Sequence, residues 1–427
     1  MCDASMASPA LPSPPLPSLG VFKRPAFALF WTNRLLGTLG VQIESVAIGW
    51  QVYAVARLTN DVPHSAFLVG MVGLVQFLPL FALTLIAGET ADRYQRRMIL
   101  IVCIGVEILC AAGLAVLSLH PQPSLVPLFC IAGLFGAARA FFSPASGAMG
   151  PMLVTREELP KAVAWSSLAW QGGSVVGPLI GGLLLVISPF AAYLGTITLY
   201  AGAIVTLLFI RVNTTPVADP RSRIALIREG LAYVRDNKIV LGAISLDLFA
   251  VLLGGATALL PVFARDVLHV GQSGFGILRA GPAIGAALVA FALSRRPLQR
   301  KAGLWMFGGV AVFALASLVF AVSKSLWLSV FALAVLGGGD MISVYVRQTL
   351  VQIVTPDAMR GRVSAVSGVF IGASNELGEF ETGLVARLLG PVGAALFGGF
   401  GSLVVVGLWA KLFPQLRKAD RLTDPTA

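Results

Sequence analysis

Twelve long apolar runs follow one another along the chain, at 27–55, 66–87, 98–119, 125–149, 161–187, 189–210, 239–263, 274–294, 303–323, 326–350, 363–386 and 391–413. Each is long enough to cross a bilayer as a helix, which takes about 20 residues. The pattern predicts an all-α polytopic membrane protein with twelve transmembrane helices. Short polar turns join nearly all the runs, and one long polar stretch, 211–238, divides them into two sets of six. The expected organisation is a disordered tail at 1–21, a six-helix bundle at 22–211, a linker at 212–238, a second six-helix bundle at 239–413 and a tail at 414–427. The halves also echo each other. Val154-Thr155 and Val354-Thr355 open the loops before the fifth and eleventh runs, and Val163 and Ser167 recur as Val363 and Ser367 at the same offset. Two pseudo-symmetric bundles packed face to face place a site near the midplane.

Composition agrees. Of 427 residues, 57% are hydrophobic and 12% charged, against about 25% charged in soluble domains. Residues 1–20 carry Pro, Ser and Ala but no Lys or Arg, which is not the basic-then-apolar layout of a signal peptide. Cys103, Cys110 and Cys130 lie inside apolar runs without metal-ligand spacing, and His64, His120 and His269 are scattered, so no metal and no cofactor are expected. In the linker, Ile224, Ile227, Leu231 and Val234 recur at helical spacing beside Arg221, Arg223, Arg228 and Arg235. That is the pattern of an amphipathic helix on a membrane surface; a plain structural linker is an equal alternative.

The net charge of +11 raises the question of a nucleic-acid partner, and its distribution answers it. Of the 31 Lys and Arg, 23 fall on the tails and loops of the side that carries the termini, four (Arg57, Arg265, Lys324, Arg387) on the other side, and four (Arg34, Arg139, Arg279, Arg347) within runs. Positive loops mark the cytoplasmic side. The basic charge is an orientation signal that puts both termini inside; the partners expected are the lipid bilayer, a small-molecule substrate and protons, with no nucleic acid, and the protein is expected to be a monomer.

Charged groups inside the runs are the candidate chemistry, because each costs about 2.5–3.5 kcal/mol at the bilayer centre. They are Glu44 in the first run, Glu107 in the third, Arg139 in the fourth, Asp247 in the seventh, Arg279 in the eighth, Asp340 and Arg347 in the tenth, and Glu376, Glu379 and Glu381 in the eleventh. Arg34, near the inner end of its run, can snorkel to water. Glu44 and Gln51 share one helix face, as do Asp340, Ser343 and Arg347. Asp340 and Arg347 stand about 10 Å apart along the axis, a span one bridging group can fill. The alternative for every such charge is a structural ion pair between helices.

Between the second and third runs lie Gly88-Glu89-Thr90-Ala91-Asp92-Arg93-Tyr94-Gln95-Arg96-Arg97. The segment resembles the G-x-x-x-D-R-x-G-R-R loop of the major facilitator superfamily at Gly88, Asp92, Arg93, Arg96 and Arg97, with Gln95 where the pattern has Gly. The fifth run carries Gly173-x-x-x-Gly177-Pro178-Leu179-Ile180-Gly181-Gly182, similar to the core of the superfamily motif linked with exporters. Arg139 stands where the family's fourth helix has its Arg. Thr355 to Ser364 and Ser374 to Glu379 resemble the branch of bacterial effluxers that includes siderophore exporters.

The resemblance implies that helices 1, 4, 7 and 10 line a central cavity, where Glu44, Arg139, Asp247 and Asp340 would meet substrate and protons together with Gln51, Arg347 and Glu376. It also implies a gate in which Asp92 meets the start of the eleventh helix, beside Arg362, where free N–H groups favour a carboxylate. The activity implied is secondary transport rather than enzymatic catalysis: a proton-coupled exporter of a siderophore or drug in a bacterial inner membrane. An importer of a small metabolite and, more remotely, a transport-dead sensor remain as alternatives. No G-x-x-x-x-G-K-[ST] phosphate loop occurs in the sequence to point to ATP.

Overall fold

The computed structural model describes residues 19–120, 124–155, 157–212, 214, 223–298 and 300–420. The expected N-terminal tail up to residue 18, Arg221 and the last seven residues lie outside them. Every long element among the described residues is a helix. The first group is α1 (Pro25–Ala56), α2 (Val62–Arg93), α3 (Arg96–Ser118), α4 (Leu125–Met149), α5 (Leu159–Ile187) and α6 (Pro189–Phe209). After the linker helix α7 (Arg223–Asp236) come α8 (Lys238–Leu253), the short α9 (Leu260–Val262), α10 (Gly271–Arg295), α11 (Ala302–Val322), α12 (Leu326–Val354), α13 (Asp357–Leu412) and α14 (Pro414–Lys418).

Helix starts follow the local chemistry. Asp61 accepts the His64 amide at 3.0 Å, Ser188 the Ala191 amide at 3.0 Å, and Asn237 the amides of Ile239 and Val240 at 3.1 Å, each satisfying donors that a helix leaves free at its first turn.

Ten helices among the described residues are long and apolar enough to cross a membrane. α1, at 32 residues, is long enough but more polar, and the 56-residue α13 breaks at Gly390 (φ 74°), the left-handed conformation that glycine adopts without strain. The expected helix over 239–263 is interrupted: it ends at Leu253, passes through a 3-10 turn (Ala256–Leu259) and finishes in a π-turn (Phe263–Val267). Gly254-Gly255 and Pro261 weaken the helix there. The turn expected at 88–97 shrinks to Tyr94 and Gln95, because α2 runs on through Arg93. The expected tail after 413 begins with α14, whose Leu416 is fully buried.

Within the first group α1 packs on α5 and α6, and α4 on α2 and α3; within the second, α12 packs on α10 and α11, and α13 on α8 and α11. The groups meet where α2 lies on α13 and α5 on α10. The linker helix docks one side on protein: Val234 is buried with Val351, Val363 and Val366, and Tyr233 donates to the Val354 carbonyl at 2.9 Å. Leu231 of its expected apolar face stays exposed.

Candidate functional site between the helix groups

α4 carries Arg139 to the seam between the groups. Its Nη1 donates to Glu376 Oε1 of α13 at 2.9 Å and to Gln76 Oε1 of α2 at 3.1 Å, and its guanidinium stands over the Phe135 ring at 5.6 Å. Arg139 and Glu376, both expected in the site, are therefore brought together across the two groups. Glu379 and, from α10, Arg279 add charge beside them.

A second cluster lies inside the second group. Arg347 Nη2 of α12 pairs with Asp247 Oδ2 of α8 at 3.4 Å, with only 4% and 6% of the side chains exposed. Asp340 and Ser343 line the same small cavity as Asp247, which has room for about one water. Arg347 is thus paired with Asp247 of α8, while Asp340 lies across the small cavity from that carboxylate.

Glu44 and Gln51 lie inside the first group. Glu44 accepts from the Tyr200 hydroxyl at 3.1 Å and Gln51 from the Tyr193 hydroxyl at 2.6 Å, and all four side chains are buried. Both polar groups of α1 thus turn toward α6, inside the first group. The reason is the packing of α1 directly on α6, which puts this polar face against the two tyrosines.

Several arginines of the charged segment at the end of α2 and start of α3 bond within the first group. Arg93 pairs with Glu89, Arg96 Nη1 donates to the Ala148 carbonyl at 2.9 Å, and Arg97 Nη2 donates to the Leu208 carbonyl at 3.0 Å. Gly88 is buried and Asp92 half-buried in the last turns of α2. Arg362, expected to share a gate with Asp92, donates to Glu229 of the linker helix at 2.5 Å. The basic loops do gather at one end: Arg24 pairs with Glu158 at 2.5 Å, and the Lys301 amide donates to Asp420 at 3.0 Å.

The opposite end is shut. Arg57, after α1, pairs with Asp266 at 3.0 Å, the Tyr53 hydroxyl also donates to Asp266, and Trp50 stacks on Phe275 at 4.9 Å. The exporter-like glycines divide their work. Gly173, Gly177 and Gly181 receive Thr38, Gln42 and Ile43 of α1, while a Cβ on Gly182 would lie 2.6 Å from Gly276 Cα on α10, across the seam. Pro178, buried between them, continues the helix without its own N–H. Along one stripe of α13, Gly383 abuts Gly70 of α2, whereas Gly361, Gly368 and Gly372 meet nothing within 4 Å. One helical stripe is thus closed toward Gly390 and open toward the termini.

Gln76, Tyr193 and Tyr200 were not singled out by the sequence. Only Gln76, a lone amide in an apolar run, gives a signal a hydropathy reading could have used.

The family model for transmembrane secretion effectors matches residues 17–426. The chain belongs to that family, a branch of the major facilitator superfamily. Among curated proteins, this transporter is 28% identical over 397 residues to the enterobactin exporter of Citrobacter koseri, covering 92% of this chain and 93% of that one. It is 27% identical to the enterobactin exporter of Shigella boydii serotype 4, over 94% of each chain. Among solved structures it resembles the peptide-transporter-family protein PepTSo with a TM-score of 0.71 at 13% identity, over 94% of this chain and 99% of that one. It resembles a bacterial homologue of the iron transporter ferroportin, in its inward-facing state, with a TM-score of 0.65 at 16% identity, over 92% and 98%. At these identities the structural likeness concerns the fold alone.

Proposed function

We propose that this protein is a proton-driven exporter of a small amphipathic molecule of the siderophore kind, working by alternating access in a bacterial inner membrane. The observation that carries the reading is the Arg139–Glu376 pair, which joins the two helix groups inside a chain whose relatives are named enterobactin exporters along nearly their whole length. α1 and the two arms of α13 complete twelve crossings in this reading, the linker joins two six-helix halves, and the basic end faces the cytoplasm. The stripe open toward that end is the loading side. Arg139 offers a cationic contact for an anionic or phenolic substrate, while Glu376, Asp247, Asp340 and Arg347 lie along the substrate and proton route. Glu44 and Gln51 act on that route from within the first half. Gly88, Asp92, Arg93, Arg96, Arg97 and Arg362 brace the inner gate.

The test uses purified protein in liposomes loaded with enterobactin as probe. Efflux from protein inserted in the cellular orientation accelerates when the exterior is acidified, and Arg139→Gln abolishes it. Efflux indifferent to the proton gradient refutes the coupling, and retention of enterobactin by a strain that overproduces the protein refutes the direction.

A further inference from the structure

A carboxyl group that no motif flags lies deep in the first helix group. Glu107 of α3 is 1% exposed, and neither of its carboxylate oxygens has a hydrogen-bond partner. The titratable groups that face it are Glu44 from α1, Cys103 and Cys110 from its own helix, Arg139 from α4 and Tyr200 from α6, with Tyr193 beyond, against Glu44. Tyr200 spends its hydroxyl on Glu44. Arg139 is the one cation in the set, and it is turned away, bonded to Gln76 and Glu376. An ionised carboxylate with no partner is among the costliest groups to bury, so Glu107 holds its proton while Arg139 belongs to Glu376.

Opening the shut end has to part these bonds. Glu376 belongs to α13 and Arg139 to α4, and the groups separate along the line where Gly383 now abuts Gly70. Glu376 is on the parting face and is hydrated as it is exposed, with Arg279 and Glu379 of its own group near it. Arg139 keeps its charge throughout and stays behind with Glu107. We infer that Glu107 is the proton-binding group of the cycle, exchanging with Glu376 for Arg139 as the two helix groups rock. The O–H bond of Glu107 breaks, its proton leaves to water on the inner side, and the carboxylate takes the guanidinium that Glu376 releases. The return step reverses this, with a proton taken up from the outer side.

The inference rests on the proton-driven reading, and its test separates the two. Spin labels on His120→Cys and Lys324→Cys, exposed residues on loops of the two groups at the shut end, report the open-to-shut ratio by pulsed electron spin resonance. Cys2→Ser and Cys130→Ser keep the labels unique, and the probe is pH alone. If one proton leaves on opening, the ratio in the wild-type background rises by up to about tenfold per pH unit. With Glu107→Gln the ratio loses that slope, and with Glu376→Gln, which frees Arg139 for Glu107 in the shut state, the rise starts at the same pH and levels off at lower pH. A wild-type slope unchanged by Glu107→Gln overturns the assignment while leaving the proton-driven reading standing, as does a slope abolished by Glu44→Gln alone. A wild-type ratio that ignores pH overturns both. If Glu107→Gln does not fold, an unshifted Glu376→Gln profile still refutes the exchange.

Discussion

Replacing Gly182 by Ala tests whether the end away from the termini is a gate between two moving bodies. The added Cβ would stand 2.6 Å from Gly276 Cα and 2.9 Å from its carbonyl oxygen. Both atoms are backbone in α10, so no side chain can swing aside. Overpacking of this kind costs about 1–3 kcal/mol. The cost falls only on the shut arrangement, because Gly182 and Gly276 belong to groups that separate when that end opens. A penalty of about 1–3 kcal/mol on one of two states shifts their ratio roughly 5- to 150-fold. The shift is read as accessibility of cysteines at the shut end, or as the label distances described above. Gly181→Ala is the matched comparison: its Cβ would stand 3.1 Å from Ile43 Cα on α1, a contact inside one group that persists in both states. It lowers thermal stability and leaves the ratio in place. Gly172→Ala meets nothing within 4 Å and changes neither. If Gly182→Ala behaves like Gly181→Ala, the seam between α5 and α10 does not open during the cycle and the two-body reasoning is wrong.

Arg347→Met leaves Asp247 buried without its cation, which destabilises by about 3–5 kcal/mol; the melting temperature of the detergent-purified protein falls, and adding Asp247→Asn recovers part of the loss. At the basic end, the Glu158 carboxylate is held below the usual carboxylate range, first by the Thr155 amide and also by the Arg24 side chain. A folded-state value below the unfolded one stabilises above the unfolded value and is lost as pH falls through the folded one. Glu158→Gln therefore speeds hydrogen exchange in the segment Leu19–Lys23 at neutral pH, and the difference from wild type vanishes in acid, below the ordinary carboxylate range of about 4. A difference that persists in acid refutes the assignment.

The helices were legible because backbone in hydrocarbon must satisfy itself, so long apolar runs have few alternatives to helix. Their ends were less so. Residues 88–93 read as a loop because they are charged, yet nothing in Gly88–Arg93 breaks a helix, and interfacial water serves the side chains. The break after Leu253 was written in Gly254-Gly255 and Pro261, but it lies in an uninterrupted apolar run, where hydropathy masks it. The charges of the site were visible and their partners were not. Spacing puts Asp340 and Arg347 on one face of α12; that the facing acid is Asp247 depends on how α8 packs against α12, which no periodicity encodes. Tyr193 and Tyr200 escape notice because a phenol is mostly apolar and carries its one polar atom at the tip.

The ion pairs sort by whether the cycle has to break them. Asp247–Arg347 lies within the second group and can persist through any rigid rocking of the halves. Arg57–Asp266 and Arg139–Glu376 join the two groups, so in the proposed cycle each parts when the shut end opens. They do so at different cost. Arg57 and Asp266 are at the rim, 23% and 16% exposed as side chains, and water takes over their hydrogen bonds as they separate. Such pairs are worth little net, and they bias the gate without locking it. Arg139 and Glu376 are exposed to a similar degree, 27% and 11% as side chains, but Arg139 also packs against Gln76 and Phe135, with Glu107, whose carboxylate oxygens have no hydrogen-bond partner, nearby. In the proposed cycle Glu376 leaves Arg139 as the groups part, and a substrate anion or a newly ionised neighbour takes its place. In the proposed cycle the Arg57–Asp266 pair therefore biases opening, whereas the Arg139–Glu376 pair, with Glu107 beside it, is where opening becomes conditional on proton or substrate.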